Sequence, residues 1–465
     1  MTAALKRTIG SFEVPNYRRW FGGQLVSISG NWMQIVAEMW LVLTLTGSAL
    51  AVGVTSALQF LPILLVGAWG GLVADSVPKR RLLILTQALM MLPPLILFGL
   101  SVTDNVAAWM VMALVLARGI VLAVDLPARQ SFVIEIVGTD KVVSAVGLQS
   151  VLIHTSRITG PAIAGVLIAG GSIELCFLLN AMSFGGMILA LRSLDRSALA
   201  PPKLAAREPG AVRKGFQYVA RTPELAIPVA MMAVIGTLGL NFHVLLPLLA
   251  RQSFDGGPQS YSALVIAMGA GAVAGAIVIG ARERIGERWL VGSALGFGFF
   301  ALLATAAPSL TLLAVALVPL GAASVTFAAG VNTTLQLSAA PAMRGRVMAL
   351  FSIVFMGSTP IGGPIVGALS GIWDPRVALG LAGVSALATG AGAAWAFRRS
   401  RGREVSLEPG AEAEALESGS GRDTDPACER ASRGGAPATA RRGSERRRGP
   451  RSPERQPRAG ASRAR

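Results

Sequence analysis

The chain has 465 residues, of which 52% are hydrophobic and only 14% are charged, and its mean hydropathy is +0.58. Soluble globular proteins carry about 25% charged residues, so this composition excludes a soluble enzyme or binding domain and favours a chain embedded in a lipid bilayer. In so apolar a chain, the net charge of +17 is typical of basic cytoplasmic loops rather than of nucleic-acid binding. The two cysteines, Cys176 and Cys428, predict neither a disulfide nor a metal site.

Long apolar stretches recur along the chain, each able to cross about 30 Å of hydrocarbon as a helix. They predict twelve membrane-spanning helices, at residues 22–46, 50–74, 82–101, 106–127, 143–169, 172–192, 224–249, 259–281, 289–307, 310–335, 347–371 and 377–397. The fold class predicted from the sequence is therefore an all-α membrane protein with twelve transmembrane helices.

Basic residues lie almost entirely on one side of the predicted membrane. The amino end and the loops that follow the even-numbered spans are rich in Lys and Arg, and Arg129 falls in the loop after the fourth span. On the opposite side, the loops hold only Arg251 and Arg376. By the positive-inside rule, the sequence predicts a multi-pass protein of the cell (inner) membrane with both termini in the cytoplasm. The long first span has no cleavage site for a signal peptide.

Polar segments divide the predicted spans into domains. Residues 1–21 form a cytoplasmic amino end, and the proline-containing segment 193–223 is predicted to link an N-terminal six-helix bundle (22–192) to a C-terminal one (224–398). Residues 399–465 contain too few large apolar side chains to fold, so we expect a disordered, basic cytoplasmic tail.

The two halves of the chain repeat the same landmarks at an offset of about 205 residues. The segment 71–81 after the second span corresponds to 283–288 after the eighth, and Asp125 corresponds to Asn332. Gly160-Pro161 in the fifth span corresponds to Gly363-Pro364 in the eleventh. This order indicates a duplicated six-helix unit, which is how many secondary transporters are built.

These motifs resemble those of the major facilitator superfamily (MFS). Gly71, Asp75, Lys79 and Arg80 fall on its signature for the loop between spans two and three, although Ser76 and Pro78 replace a usual basic residue and a usual glycine. Segments 125–130, 157–161 and 344–348 resemble the branch that contains the enterobactin exporter and macrolide efflux proteins. The resemblance covers about residues 10–400 and implies two six-helix pseudo-repeats, but no particular substrate.

The loop motif implies a gate. In the superfamily, the start of the eleventh span packs near this loop, and its free backbone N–H groups carry partial positive charge. Asp75, together with Gly71, Lys79, Arg80 and Arg81, would then hold the halves together on the cytoplasmic side in an outward-open state. The alternative is that Asp75 only caps the loop while the basic residues set the topology.

The Gly-Pro pairs predict bends and close helix contacts, because proline removes an intrahelical hydrogen bond and glycine allows a second helix to approach. The residues concerned are Gly160, Pro161 and Gly165 in the fifth span and Gly363 and Pro364 in the eleventh. The fifth-span pair loosely resembles a motif of superfamily exporters, which favours export over import.

Few polar or ionisable groups lie within the spans, and such groups face a cavity or one another because exposing them to lipid is costly. The superfamily arrangement places the first, fourth, seventh and tenth spans around a central cavity. Candidates for contact with substrate or protons are Glu38, Arg118, Arg157, Gln34, Asn241, His243 and Asn332. The alternative for the uncharged members is a polar side chain satisfied by a neighbouring helix, and Asn180 carries the same ambiguity.

Glu38 is the predicted proton-coupling residue, because a carboxylate that alternately meets water and an arginine takes up and releases a proton. Arg157 is the arginine expected at similar depth on a neighbouring helix, and Arg118 lies deeper but within reach. The alternative is a permanent structural ion pair.

The sequence predicts a secondary active transporter rather than an enzyme. It contains neither a phosphate-binding Gly-x4-Gly-Lys-Ser/Thr loop nor a His-Glu-x-x-His motif, and we expect no cofactor and no metal. We expect proton-coupled export of a hydrophobic or amphipathic small molecule (drug, antibiotic or siderophore) by alternating access. The expected partners are this substrate, protons and membrane lipid, without nucleic acid, and the chain is expected to be a monomer. A metabolite importer of the same fold and a sensor signalling through the basic tail are the alternatives.

Overall fold

The computed structural model describes residues 10–199, 211–280, 282, 286–340 and 343–419. Over these residues the chain is helical, with no strand. After a 3-10 turn at Gly10–Glu13, the first helices are α1 (Pro15–Thr46), α2 (Ala49–Ser76), α3 (Lys79–Val102), α4 (Ala108–Val137), α5 (Val142–Ala169), α6 (Ile173–Arg192) and α7 (Ala211–Arg221). The remainder are α8 (Pro223–Gly239), α9 (Phe242–Leu248), a π-helical turn (Leu249–Ser253), α10 (Pro258–Gly280), α11 (Glu287–Thr305), α12 (Leu310–Ser338), α13 (Arg344–Ile372) and α14 (Pro375–Gly419).

Eleven helical segments of the described residues are long and apolar enough to cross a membrane, with α8, α9 and the π-helical turn counted as one. Helix α1 has 32 residues and is also long enough, but it is more polar. Its polar side chains Gln24, Ser27, Gln34 and Glu38 are buried against neighbouring helices instead of facing lipid. With α1, the described helices make up the twelve spans that the sequence predicts.

The fourth span is longer than the sequence predicts. Helix α4 continues beyond residue 127 to Val137, so Arg129 lies within a helix and its placement in a loop is wrong. The physical reason is a salt bridge one turn apart, 2.5 Å between Arg129 Nη2 and Asp125 Oδ2, which satisfies both charges without leaving the helix.

The first span also begins earlier than residue 22, because its amino end packs against other helices. Tyr17 and Trp20 are almost completely buried. The Tyr17 hydroxyl donates a hydrogen bond to the carbonyl of Ala145 in α5 (3.0 Å), and the Trp20 ring meets the ring of Phe132 in α4 at 5.2 Å. Tertiary packing therefore extends α1 to Pro15.

The seventh span is interrupted where the sequence predicts one continuous helix. Helix α8 ends at Gly239 and α9 begins at Phe242. By contrast, α5 and α13 continue through Gly160-Pro161 and Gly363-Pro364. Membrane helices tolerate proline where neighbouring helices cover the freed backbone groups.

The predicted linker and tail contain further helix. Helix α7 lies within segment 193–223, with Val219 buried, and the Tyr218 hydroxyl accepts a hydrogen bond from the backbone N–H of Ala340 at 3.4 Å. Residues 200–210 of the linker lie outside the described residues. Within the predicted tail, α14 continues to Gly419, and residues 420–465 lie outside the described part of the chain. The internal contacts divide the chain into two units, one ending at Val405 and one beginning at Ser406. Every contact discussed below lies in the first unit.

The most extensive contacts between the first six helices and the later ones are α2 with α13 and α5 with α10, and α9 also contacts α1 and α2. We call the face where α1, α3 and α5 begin the basic face, because Lys79, Arg80 and Lys141 lie there, and the other the opposite face. A Cβ atom on Gly53 of α2 would collide with the carbonyl of Gly363.

The close approaches between the two halves share one region. Besides Gly53 with Gly363, they join Gly367 with Ala49, Gly165 with Ser262, Gly269 with Ile158 and Gly357 with Leu64. In the first four of these pairs, both residues lie at the middle of their helices or between it and the opposite face, whereas Gly357 and Leu64 lie just on the basic side of the middle. The absence of side chains at these glycines lets the backbones meet, so the two halves are held together towards the opposite face.

Candidate functional site

A buried ion pair between α1 and α4 occupies the centre of the first six helices. Glu38 and Arg118 are 0% and 3% exposed, and Arg118 Nη2 lies 2.5 Å from Glu38 Oε2. Gly119 allows this geometry, because a Cβ atom there would strike the carbonyl of Gln59 in α2. A lone charge at this depth costs several kcal/mol, so each residue stabilises the charge of the other.

Of the two arginines that the sequence offers as partners, Glu38 therefore pairs with Arg118 and not with Arg157. The sequence places Arg157 at similar depth, but depth alone does not determine which way a long side chain points. The close packing of α4 against α2 directs Arg118 towards α1.

A chain of amide side chains continues from Glu38 to α6. Gln34 Nε2 donates to the second carboxylate oxygen of Glu38 at 2.6 Å, and Asn180 Nδ2 in turn donates to Gln34 Oε1. The hydroxyl of Ser183 donates to Asn180 Oδ1 at 2.9 Å. Both oxygens of Glu38 are thus occupied, and the network connects α4, α1 and α6.

For Asn180 the sequence leaves open contact with substrate or a hydrogen bond to a neighbouring helix, and the structure shows the hydrogen bond to Gln34 of α1. The spacing of Gln34 and Glu38, four residues apart on one face of a helix, agrees with a further polar partner beyond Gln34. Gly30, one turn before Gln34, brings α6 close, because a Cβ atom there would collide with the Asn180 side chain.

Arg157 of α5 is partly buried and lies over the ring of Trp32 in α1, with 4.9 Å between its guanidinium carbon and the ring centroid. Among the described residues, no carboxylate pairs with it. Gly160 sets this contact, because a Cβ atom there would meet the carbonyl of Ser29 and the Trp32 side chain. The arginine therefore presents an unneutralised charge.

His243 joins the two halves of the molecule. Its Nε2 lies 2.5 Å from the hydroxyl of Ser56 in α2, and its ring lies 5.9 Å from that of Phe60. His243 sits on α9, directly after the break in the seventh span. At the break, Asn241 Nδ2 donates to the carbonyl of Thr237 at 2.7 Å, while its Oδ1 is buried without a partner.

Asn332 on α12 is partly buried and accepts a hydrogen bond from Gln336 Nε2, one turn later, at 2.5 Å. Its described polar contact is thus local to its own helix. Its proposed contact with substrate stays a prediction.

The basic residues of the loop motif are used within the first six helices. Lys79 Nζ pairs with Glu135 Oε1 of α4 at 2.7 Å. Arg80 donates to the carbonyls of Leu191 and Arg192 at 2.7 and 3.0 Å, which caps the end of α6.

The other members of the loop motif make fewer contacts. Gly71 is buried and Arg81 is exposed, while Asp75 is partly exposed and has no hydrogen bond or ion pair among the described residues. The predicted latch between Asp75 and the start of α13 stays a prediction.

Asp125 forms the most densely bonded cluster at the basic face. Its side chain is fully buried and accepts hydrogen bonds from Thr86 (2.6 Å), Gln87 (2.8 Å) and two nitrogens of Arg129. Arg129 also donates to Gln24 at 2.7 Å. The cluster fastens α1, α3 and α4 together, and Arg129 is its one member that the sequence assigns to a loop.

The Gly-Pro segments lie at helix contacts. Gly160 and Pro161 are buried, with Gly160 against α1, whereas Gly165 meets Ser262 of α10. Gly363 meets α2 at Gly53, and Pro364 beside it is partly buried. The fifth-span segment thus makes contacts both within the first half, at Gly160, and with the second half, at Gly165.

Comparisons with known proteins agree with this architecture. A family model described as transmembrane secretion effector matches residues 8–417. The staphyloferrin A transporter of Staphylococcus aureus is 26% identical over 260 residues, which is 56% of this chain and 65% of that protein, slightly less than two thirds of its length. Macrolide efflux protein A of Streptococcus pyogenes is 25% identical over 76% of this chain and 88% of that protein. The enterobactin exporter EntS of Shigella boydii is 24% identical over 76% of this chain and 82% of that protein.

Solved structures share the fold. The nucleoside transporter NupG superposes with a TM-score of 0.66 at 13% identity, covering 82% of this chain and 99% of that chain. A bacterial homologue of the iron transporter ferroportin gives a TM-score of 0.64 at 15% identity, covering 82% and 98%. At such low identity, these similarities concern the fold alone.

Proposed function

The chain belongs to the transmembrane secretion effector family of the major facilitator superfamily, and on that premise we propose that it exports small hydrophobic or amphipathic molecules by proton-driven alternating access. The basic face is then cytoplasmic, in agreement with the positive-inside rule. Export is favoured because relatives carry the names macrolide efflux protein, enterobactin exporter and multidrug efflux pump. A drug, an antibiotic or a siderophore is the corresponding substrate.

Alternating access is supported by where the halves meet. Four of the five close glycine contacts lie from mid-membrane towards the opposite face, which supports an arrangement that is closed towards the outside. Cargo enters from the cytoplasm in this state. In the other state, the basic face closes, and Asp75 then meets the partial positive charge at the start of α13. In the described state, the N–H groups of Met343, Arg344 and Arg346 there donate to backbone carbonyls.

The buried pair of Glu38 and Arg118 is the observation that carries proton coupling. When Glu38 is ionised, Arg118 and Gln34 satisfy its two oxygens. A proton taken from outside neutralises Glu38 and releases Arg118, and loss of that proton to the cytoplasm restores the pair. Because the pair bridges α1 and α4, each change of protonation alters the attraction between two helices of the cavity.

The test is export from an efflux-deficient bacterial host, with and without this protein, using fluorescent dyes of negative, zero and positive charge. We expect at least one dye to accumulate less when the protein is present, and a proton ionophore to abolish that difference. In Glu38→Gln, export should fall by about tenfold or more and no longer respond to the pH gradient, because the neutral amide mimics only the protonated state.

Glu224→Gln is the matched control, since it removes an exposed carboxylate at the start of α8. It should behave as the unmodified protein does. If Glu38→Gln kept the original dependence on the pH gradient, Glu38 would be a structural ion pair and the coupling role would be lost. If no dye were exported, the proposed export would fail.

A further inference from the structure

Among the described residues, the charges that lie away from the ends of the membrane-spanning helices are balanced except at one position. Glu38 is neutralised by Arg118, and Asp125 by Arg129. Arg157 has no carboxylate partner among the described residues. An uncompensated guanidinium at this depth is costly unless water or a bound anion satisfies it, so its retention without a partner points to a ligand.

Several contacts hold the backbone at Arg157 in place. The hydroxyl of Ser29 in α1 lies 3.1 Å from that of Ser156 and 3.0 Å from that of Thr159, the two α5 residues that flank this turn. With the approach of α1 at Gly160, these bonds fix the helix pair and lay the guanidinium over Trp32. The arginine is therefore positioned before any ligand arrives, which reduces the entropy lost on binding.

The stacked geometry leaves the binding groups of Arg157 free. A guanidinium that contacts an aromatic ring with its face still presents N–H donors at its edge, and these match the paired oxygens of a carboxylate or sulfonate. The side chain is partly exposed, so the protein does not enclose it completely.

We propose that Arg157, stacked on Trp32, is the anion-binding group of the transport cavity, and that the cargo is an amphipathic molecule with an acidic group. This inference rests on the proposed function and narrows its substrate class. The apolar body of the cargo packs beside Trp32 and Phe60, and its acid group binds the edge of Arg157. A cationic cargo is disfavoured, because no free carboxylate offsets Arg157 at this depth among the described residues.

The experiment measures binding of two probes that differ only in charge, naphthalene-1-sulfonate and naphthalene-1-sulfonamide, to the purified full-length protein in lipid nanodiscs by calorimetry. We expect the sulfonate to bind about tenfold or more tightly than the neutral sulfonamide, the effect of a hydrogen-bonded charge. Equal affinities in the unmodified protein would overturn the proposal.

Variants of Arg157 test whether this residue causes the preference for sulfonate over sulfonamide. Arg157→Gln should abolish this preference, so that the two probes bind with equal affinity, and Arg157→Lys should weaken sulfonate binding by a few-fold, because lysine keeps the charge but loses the paired donors. Arg282→Gln is the matched control, because Arg282 also stacks on a tryptophan, Trp289, but is exposed near the basic face. An unchanged preference in Arg157→Gln would overturn the assignment, and if that variant does not fold, an unchanged sulfonate affinity in Arg157→Lys would do so.

Release of both probes from loaded proteoliposomes separates this inference from the proposed function. If the protein binds sulfonate selectively but expels neither probe, the anion site stands and the proposed export fails. If it expels sulfonate and sulfonamide equally well, export stands and the anion site is refuted.

Discussion

Two aspartates near the basic face differ completely in their surroundings. Asp125 is fully buried and accepts hydrogen bonds from three side chains of α3 and α4. Asp75, at the end of α2, is partly exposed and has no such partner among the described residues. A carboxylate whose acceptor positions are already filled braces the helices around it, whereas one without partners is available to form a contact in another state. The number of hydrogen bonds that a carboxylate already accepts therefore distinguishes a carboxylate that holds helices together from one that is available for a contact in another state.

Glu38 lies between these extremes. Both its oxygens are occupied, but its charge partner is on another helix, whereas Asp125 and Arg129 are one turn apart on the same helix. A movement of α4 relative to α1 leaves the pair of Asp125 and Arg129 intact, whereas it changes the distance between Glu38 and Arg118. The same type of ion pair thus serves bracing in one place and, we propose, coupling in the other.

The largest effect is expected for Asp125→Asn, which leaves Arg129 buried without a counter-charge. We expect a loss of about 3–5 kcal/mol of stability, because removing one partner of a buried pair uncovers the desolvation penalty of the other. Thermal unfolding of the purified protein measures this loss. In the same assay, Asp75→Asn serves as the matched control and should unfold at nearly the original temperature. Equal destabilisation by the two substitutions would remove the distinction between them.

Asp75→Asn is expected to have an intermediate effect, on transport alone. Loss of the negative charge weakens attraction to the start of α13 by about 0.5–1 kcal/mol, the usual magnitude for a charge at a helix terminus. We expect normal membrane insertion and a two- to fivefold slower export, measured with the dye that the unmodified protein exports best. Full export activity in this variant would refute the latch and leave Asp75 as a residue of the loop only.

The smallest effect is expected from deleting residues 420–465, which lie beyond the described end of α14. If transport depends on the charges within the helices and not on the tail, a chain ending at Gly419 should export at the original rate within experimental error. A matched chain in which the arginines of 441–448 are replaced by serine tests the charge of the tail separately. A sensor acting through the tail would instead lose its output in both chains.

The sequence predicts much of this architecture because the bilayer imposes a simple rule. Any segment crossing it needs a long apolar helix, and eleven such helices are recognisable by composition. The exceptions are also instructive. The polar start of α1 is helical because Tyr17 contacts α5 and Trp20 contacts α4. Helix α4 continues beyond its apolar stretch because Asp125 and Arg129 form an ion pair within the helix.

The sequence by itself determined the number of spans, the repeat, the uneven distribution of basic residues and the small set of polar groups within the helices. These follow from composition and from the cost of exposing charge to lipid, which act locally along the chain. Only the tertiary structure decided that Glu38 pairs with Arg118, that Asn180 joins them and that Arg157 is left on Trp32. Partner choice depends on which backbones approach closely at Gly119, Gly30 and Gly160, and that packing brings together residues far apart in the chain.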